Sequence, residues 1–244
     1  MRVGIMQPYF FPYLGYFALI ERCDKWVVFD VTQYTPKTWM NRNRVLHPTE
    51  SWNWVTVPLA NSSNSIRIHE AKVLDADKAR ASALGKLSHY RNRAPHWRTV
   101  KGLLEAAFDG AADASLVTLN ASALRVVCSY LGIGFEPVIC SELGLDLTAV
   151  DHPGGWAPVV AGALGADEYL NPVGGLQLFS QEEFNERGIA LEFLEFPSFE
   201  YVTSGYAFVP NLSVLDVLMW NDVESVRSAL AAAAIKQGSE LLPS

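Results

Sequence analysis

No run of apolar residues in this sequence approaches the roughly 18 needed to cross a bilayer as a helix. The first ten residues, Met1–Phe10, lack the charged start, apolar stretch and small-residue cleavage site of a secretory signal. A cytoplasmic protein that is neither secreted nor membrane-spanning is therefore expected. Cysteine is scarce. Cys23, Cys128 and Cys140 are odd in number and lack metal-ligand spacing, which points to free thiols in a reducing compartment and to no local metal site. Basic charge is also short: the net charge is −7, which argues against sequence-independent binding to nucleic acid or anionic lipid. Local basic pockets remain available around Lys37, Arg42 and Arg44, and around Lys86, Arg91, Arg93 and Arg98. The sequence contains no GxSxG elbow, Walker A loop, GxGxxG fingerprint or HExxH helix, and no low-complexity segment or internal repeat.

What is present is a globular composition. Half of the 244 residues are hydrophobic and 18% are charged, enough for a core without staples. Val3–Met6 is a short apolar run ended by Pro8 and reads as a buried strand. Tyr9–Gly15 is an aromatic, proline-broken loop, Tyr16–Arg22 a short helix, and Lys25–Phe29 a second buried strand ending at Asp30. This is the opening of a parallel α/β unit. Further strands are expected at Asn53–Pro58, Phe135–Ser141, Glu168–Leu170 and Ala190–Phe196, with Ile66–Ile68 pairing briefly with the strand before it. Helical periodicity covers Asp75–Tyr90, Trp97–Phe108 and Ser115–Leu131, the last stopped by Gly132. Shorter helices are expected at Gly155–Leu164, Gln181–Glu186 and Ser213–Trp220, and a final one at Asp222–Ile235 that includes the Ala231–Ala234 run. Ser213 and Asp222 serve as N-caps. Gly238–Ser244 should fray. The expected fold is a single α/β domain over 1–244, a mostly parallel sheet flanked by helices, with a helical segment inserted near residues 75–131.

Ligands of open parallel sheets sit beyond the C-terminal strand ends. Three polar clusters fall there: Gln7-Pro8-Tyr9, then Asp30 through Gln33 and Tyr34 to Trp39, Asn41, Arg42 and Asn43, and thirdly Tyr169 and Asn171 before Pro172, Gly174 and Gly175. Each has a plainer reading: a strand-end cap for Gln7, loop packing for Tyr9, a turn for Asp30, and a solvated turn for Asn41-Arg42-Asn43. The guanidinium of Arg42 between two amides suits carboxylate or phosphate oxygens. Among the histidines, His89 stands out because it ends a helix beside Tyr90, Arg91, Arg93 and His96; a lone histidine is more often structural. Strand topology should bring Gln7, Asp30 and at least one of Asn41, Arg42 and Asn43 onto one cavity.

The run Gln7-Pro8-Tyr9-Phe10-Phe11-Pro12-Tyr13-Leu14-Gly15-Tyr16-Phe17, then Asp30 with Val31-Thr32-Gln33-Tyr34, then Trp39-Met40-Asn41-Arg42-Asn43, resembles the WbqC-like protein family. Its pattern has Tyr where Phe10 stands and Val where Thr32 stands. The resemblance continues through the Tyr90 region, Tyr169 with Pro172, and Phe208 to Asp216. It implies attachment of an aminoacyl group, such as glycyl, to the amine of an amino sugar in surface-polysaccharide or natural-product biosynthesis. The partners so implied are a small-molecule amine such as an amino sugar nucleotide and an activated acyl donor, free or carrier-protein bound, with no cofactor. In that chemistry Asp30 or His89 would be the base. Gln7, Asn41 and Asn43 would be donors, Arg42 the anion holder, and Tyr9 and Trp39 walls, with Gln33, Tyr34, Tyr90, Tyr169 and Asn171 as further binding residues. The order strand, proline loop, helix, strand also resembles the start of adenylating enzymes such as pantothenate synthetase. Their loop histidines are absent between Pro12 and Gly15, so ATP use is not expected. Two other functions stay open: a non-catalytic binding protein for a sugar nucleotide or carrier-bound acyl group, and a thiol-dependent hydrolase or transferase.

Overall fold

The computed structural model describes residues 1–241. Strand β1 (Arg2–Met6) is followed by helix α1 (Leu14–Glu21) and strand β2 (Lys25–Val28). A hairpin, β3 (Arg42–Leu46) and β4 (Trp52–Thr56), comes next, then helices α2 (Ala76–Leu87), α3 (Trp97–Asp109) and α4 (Leu116–Leu131). The chain returns to the sheet with β5 (Pro137–Ile139), α5 (Trp156–Ala163), β6 (Glu168–Pro172), α6 (Gln181–Asn185) and β7 (Ala190–Glu195). It ends with α7 (Val214–Trp220), α8 (Val223–Ala231), β8 (Ala234–Gln237) and α9 (Gly238–Leu241).

The main sheet runs β5-β2-β1-β6-β7-β8. All neighbours are parallel except β7 and β8. The chain thus builds outward from β1 through β2 to β5, crosses back, and builds the other way through β6 and β7. That is the order of a doubly wound sheet, with its switch point between β1 and β6. Alternation along the strands separates two cores. Val3, Ile5, Val27, Tyr169, Leu191 and Phe193 pack with α5 and α6 residues on one face. Trp26, Val28, Leu170 and Leu194 pack on the other with α1, α4, α7, α8 and the hairpin. Gly4 lies where these layers close up: a Cβ there would stand 2.7 Å from Cys23 Sγ and 2.9 Å from the Trp26 ring.

Caps start and stop the helices where the sequence marks them. Asp75, Ser115, Ser213 and Asp222 accept from backbone N–H groups of α2, α4, α7 and α8, and Gly132 closes α4 at φ 70°. Four expectations need correction. Residues 42–46 form strand β3 rather than a loop. Ile66 and Ile68 pair with Thr32 and Tyr34 instead of with β4. Helix α8 stops at Ala231 and residues 234–237 form β8, because β7 would otherwise be an open edge carrying unpaired backbone groups. Residues 238–241 are helical rather than frayed; 242–244 lie outside the described residues. No described helix is long and apolar enough to cross a membrane.

Candidate functional site

The loop after β1 carries the aromatic motif, and buried amides hold it. Asn120, fully buried on α4, donates from Nδ2 to the carbonyls of Pro8 and Met40 at 2.8 Å each. Asn43 on β3 donates from Nδ2 to the carbonyls of Phe10 (3.1 Å) and Phe11 (2.9 Å). Its Oδ1 accepts from the Arg44 N–H at 2.8 Å. Ser213, capping α7, donates from Oγ to the Phe11 carbonyl at 2.7 Å. These bonds keep Phe11 at φ 40°, a left-handed conformation that costs a non-glycine residue roughly 1–3 kcal/mol. The chain therefore turns sharply, burying Phe10 and Phe11 and presenting Tyr9 and Tyr13 to a cavity.

That cavity, of about 410 Å³, lies beyond the C-terminal ends of β1, β6 and β7, at the switch point of the sheet. Its walls include Tyr9, Tyr13, Trp39, Pro172, Val173, Leu194 and Phe196; Asn43, Arg44 and Asn211 add the polar groups. No carboxylate, imidazole or thiol is among the lining residues. Burial raises the pKa of both tyrosine hydroxyls, and Tyr9 adds to the effect on Tyr13, so both remain donors. The cation is Arg44, not Arg42. β3 alternates, so both arginines lie on the outer face of the hairpin with Trp52 and Trp54. Arg42 stacks on Trp54, its Cζ 3.9 Å from the ring centroid. Arg44 sits 5.3 Å from each of the Trp39 and Trp52 rings, and its Nη2 donates to the Asn211 carbonyl at 3.4 Å. Neither arginine makes an ion pair among the described residues, so their charge is free for a ligand.

A second, larger groove of about 950 Å³ lies beyond β2 and β5. Thr32, Gln33, Arg67, His69 and Ser141 line it, over a floor that includes Val31, Cys140 and Trp156. A third cavity of about 420 Å³ shares His69 and Ser141 with this groove and adds Asp30, Lys72, Asp113, Arg125 and Glu142. Asp30 is 1% exposed. Its Oδ1 accepts from the Ser141 N–H at 2.9 Å and its Oδ2 from the Ser141 hydroxyl at 2.6 Å. Its backbone carbonyl accepts from the His69 N–H at 3.0 Å and lies 3.2 Å from His69 Nδ1.

The sequence-selected residues therefore divide. Tyr9, Trp39 and Asn43 meet at the switch point; Gln33 lines the groove and Asp30 the cavity beside it. Gln7 joins the two halves, donating from Nε2 to Thr32 Oγ1 at 3.4 Å, but lines none of these cavities. Gln7, Asp30 and Asn43 do not share one cavity as expected, because their strand ends open on opposite sides of the Gln7–Thr32 contact. Asn41 donates to the Val57 carbonyl at 3.1 Å, tying the turn to the hairpin. Tyr34 is sealed in the core. Tyr169 lies under the sheet against Phe184 and donates to Asn171 Oδ1 at 3.1 Å, while Asn171 Nδ2 donates to the Pro172 carbonyl. His89 lines none of these cavities: it packs against Tyr90, Tyr206 and His47, and burial lowers its pKa. Tyr90 donates instead to Asp216, a fully buried carboxylate that also accepts from Tyr201 at 2.9 Å and the Leu46 N–H at 3.0 Å. Arg44, placed by the sequence only in a basic pocket, and His69 and Ser141 were not among the selected residues. Alternation within β3 would have pointed to Arg44 had residues 42–46 been read as a strand; nothing local points to the other two. Burial pushes the three thiols up to about 12, which leaves them protonated at neutral pH. Among the described residues no three His, Cys, Asp or Glu side chains gather as a metal site.

A family model described as WbqC-like protein family matches residues 7–228, from the end of β1 to within α8. The chain belongs to the WbqC-like family. The matched span takes in all three cavities. The uncharacterized protein Rv1507c of Mycobacterium tuberculosis is 26% identical over 219 residues, covering 89% of this chain and 92% of that protein. No solved structure matches.

Proposed function

We propose that this WbqC-like protein is a cytoplasmic acyl or aminoacyl transferase that forms an amide on the amine of a small substrate. An amino sugar nucleotide in surface-polysaccharide or natural-product biosynthesis is such a substrate, as the resemblance implies. The observation that carries this reading is the pairing of two ligand-sized cavities on one rim, separated by the Gln7–Thr32 contact. A transfer has two substrates, and the two cavities differ in chemistry. The switch-point cavity is largely apolar with one guanidinium, which suits an anionic ligand. The groove is more polar, carrying hydroxyl, amide and imidazole groups together with the Arg67 guanidinium and the Asp146 carboxylate. Tyr9 and Tyr13 offer hydroxyl donors, and Arg44 a fixed cation, to a bound anion or developing oxyanion.

A second reading, a non-catalytic binding protein, is favoured by the absence of any carboxylate or imidazole from the residues lining the switch-point cavity. One experiment separates them. Purified protein is incubated with candidate amines and activated acyl donors, and products are followed by mass spectrometry. Amide formation that weakens in Arg44→Ala, chiefly through a higher KM, supports the transferase. Tight binding of a substrate with no product from any donor supports the binding protein.

A further inference from the structure

The wall between the groove and its neighbouring cavity holds a constellation that the switch-point cavity lacks. Ser141 is exposed at the end of β5, and its hydroxyl donates to a carboxylate that is otherwise sealed from solvent. Asp30 makes no ion pair among the described residues, and the Ser141 hydroxyl stands 2.6 Å from its Oδ2, within the reach over which a general base takes a proton. Both oxygens of Asp30 are engaged by the same residue, so the hydroxyl is held in one orientation. His69 completes the group. A carbonyl oxygen only accepts, so the 3.2 Å contact to the Asp30 carbonyl places the proton of neutral His69 on Nδ1 and leaves Nε2 as the acceptor. Ser141 and His69 line both the groove and the adjacent cavity, which gives the pair access to ligands from two sides.

We propose that Ser141 is a covalent acyl-accepting nucleophile, with Asp30 its base and His69 the base for the incoming amine. This deepens the transferase reading and rests on it for the activated acyl donor. In the first step Ser141 Oγ bonds to the acyl carbon, its proton passes to Asp30 Oδ2, and the bond to the leaving group breaks. The leaving group, a thiolate or phosphate, departs as an anion. In the second step the amine attacks the serine ester. Its surplus proton goes to His69 Nε2, the ester C–O bond breaks, and Asp30 returns its proton to Ser141 Oγ. The balance is one amide, one leaving anion and one proton. The neighbouring cavity, lined by Asp113 and Glu142 as well as Lys72 and Arg125, carries charges of both signs and suits a small zwitterion.

The test uses the full chain and p-nitrophenyl acetate as acyl donor, with intact and peptide mass spectrometry. The expected result is one acetyl group, located on Ser141, and its absence from Ser141→Ala. Asp30→Asn should acylate more slowly by roughly 10²- to 10⁴-fold, the usual contribution of a positioned base. His69→Gln should acylate normally yet hold the acetyl group when glycine amide is added, because only the second step has lost its base. If Asp30→Asn fails to fold, the His69→Gln result decides the matter. Acetylation spread over lysines with none on Ser141 overturns the proposal. An amide formed undiminished by Ser141→Ala overturns it while leaving the transferase reading intact. A Ser141 ester that no amine discharges keeps the nucleophile and sinks the transferase.

Discussion

Asn43 links the aromatic motif to the hairpin, and replacing it should damage both stability and the switch-point cavity. In Asn43→Ala the Phe10 carbonyl loses its side-chain donor in a buried setting, which costs about 1–3 kcal/mol. The Phe11 carbonyl loses one of two donors but keeps Ser213, a smaller loss of about 1 kcal/mol. The Arg44 N–H loses its contact with Asn43 Oδ1. A total of about 3 kcal/mol is expected, which in a chain of this length lowers Tm by roughly 6–12 °C. Phe11 is also free to leave φ 40°, so Tyr9 and Tyr13 no longer stand where the cavity needs them. Asn43→Asp is the sharper probe. It keeps the shape but turns the donor into a carboxylate facing two carbonyls. Those dipoles and burial raise its folded-state pKa above its unfolded value near 4. The variant should therefore be less stable than Asn43→Ala at neutral pH and recover as pH falls towards about 4. Differential scanning fluorimetry from pH 4 to 8 reads both effects. A Tm loss under about 2 °C for Asn43→Ala, or no recovery of Asn43→Asp in acid, would refute the clamp.

Asp216 makes an intrinsic pH probe. Burial raises its pKa, opposed by its bonds from Tyr90, Leu46 and Tyr201, so the folded state binds the proton more tightly than the unfolded one. Its contribution is fully present below about pH 4 and fades as pH rises through the folded-state value. Urea midpoints of the wild type should therefore gain on those of Asp216→Asn as pH is lowered from 7 to 4; parallel curves would contradict this. The thiols offer another check. With all three pushed up to about 12 by burial, the folded protein should react with a disulfide reagent at pH 8 far more slowly than in urea, and Cys140→Ala should leave any transfer activity in place. Rapid labelling of the folded chain, or loss of activity in that variant, would revive a thiol mechanism.

Local pattern alone was enough to determine the parallel α/β class, six of the eight strands among the described residues and all the longer helices described. Burial imposes its period on the chain: Val3–Met6 and Lys25–Phe29 read as strands because both faces are covered, and Asp75, Ser115, Ser213 and Asp222 mark helix starts because orphan N–H groups need acceptors. Strand β3 escaped because its Arg-Asn-Arg start is polar on the outer face. Strand β8 escaped because its Ala-Ile-Lys-Gln continues a helical composition, and only the edge of β7 draws it into the sheet. That Tyr9, Trp39 and Asn43 would meet at one cavity was legible in the sequence; the partners of Asp30 were not. Asp30 meets Ser141 across 111 residues and His69 across 39, and Arg44 rather than Arg42 reaches the cavity. Periodicity records which residues are buried, whereas partnership depends on which strand ends the topology sets side by side. Tertiary structure alone decided that Gln7 and Thr32 meet between the two halves of the rim, that His89 packs in an aromatic cluster outside the described cavities, and that an exposed serine sits on a buried carboxylate.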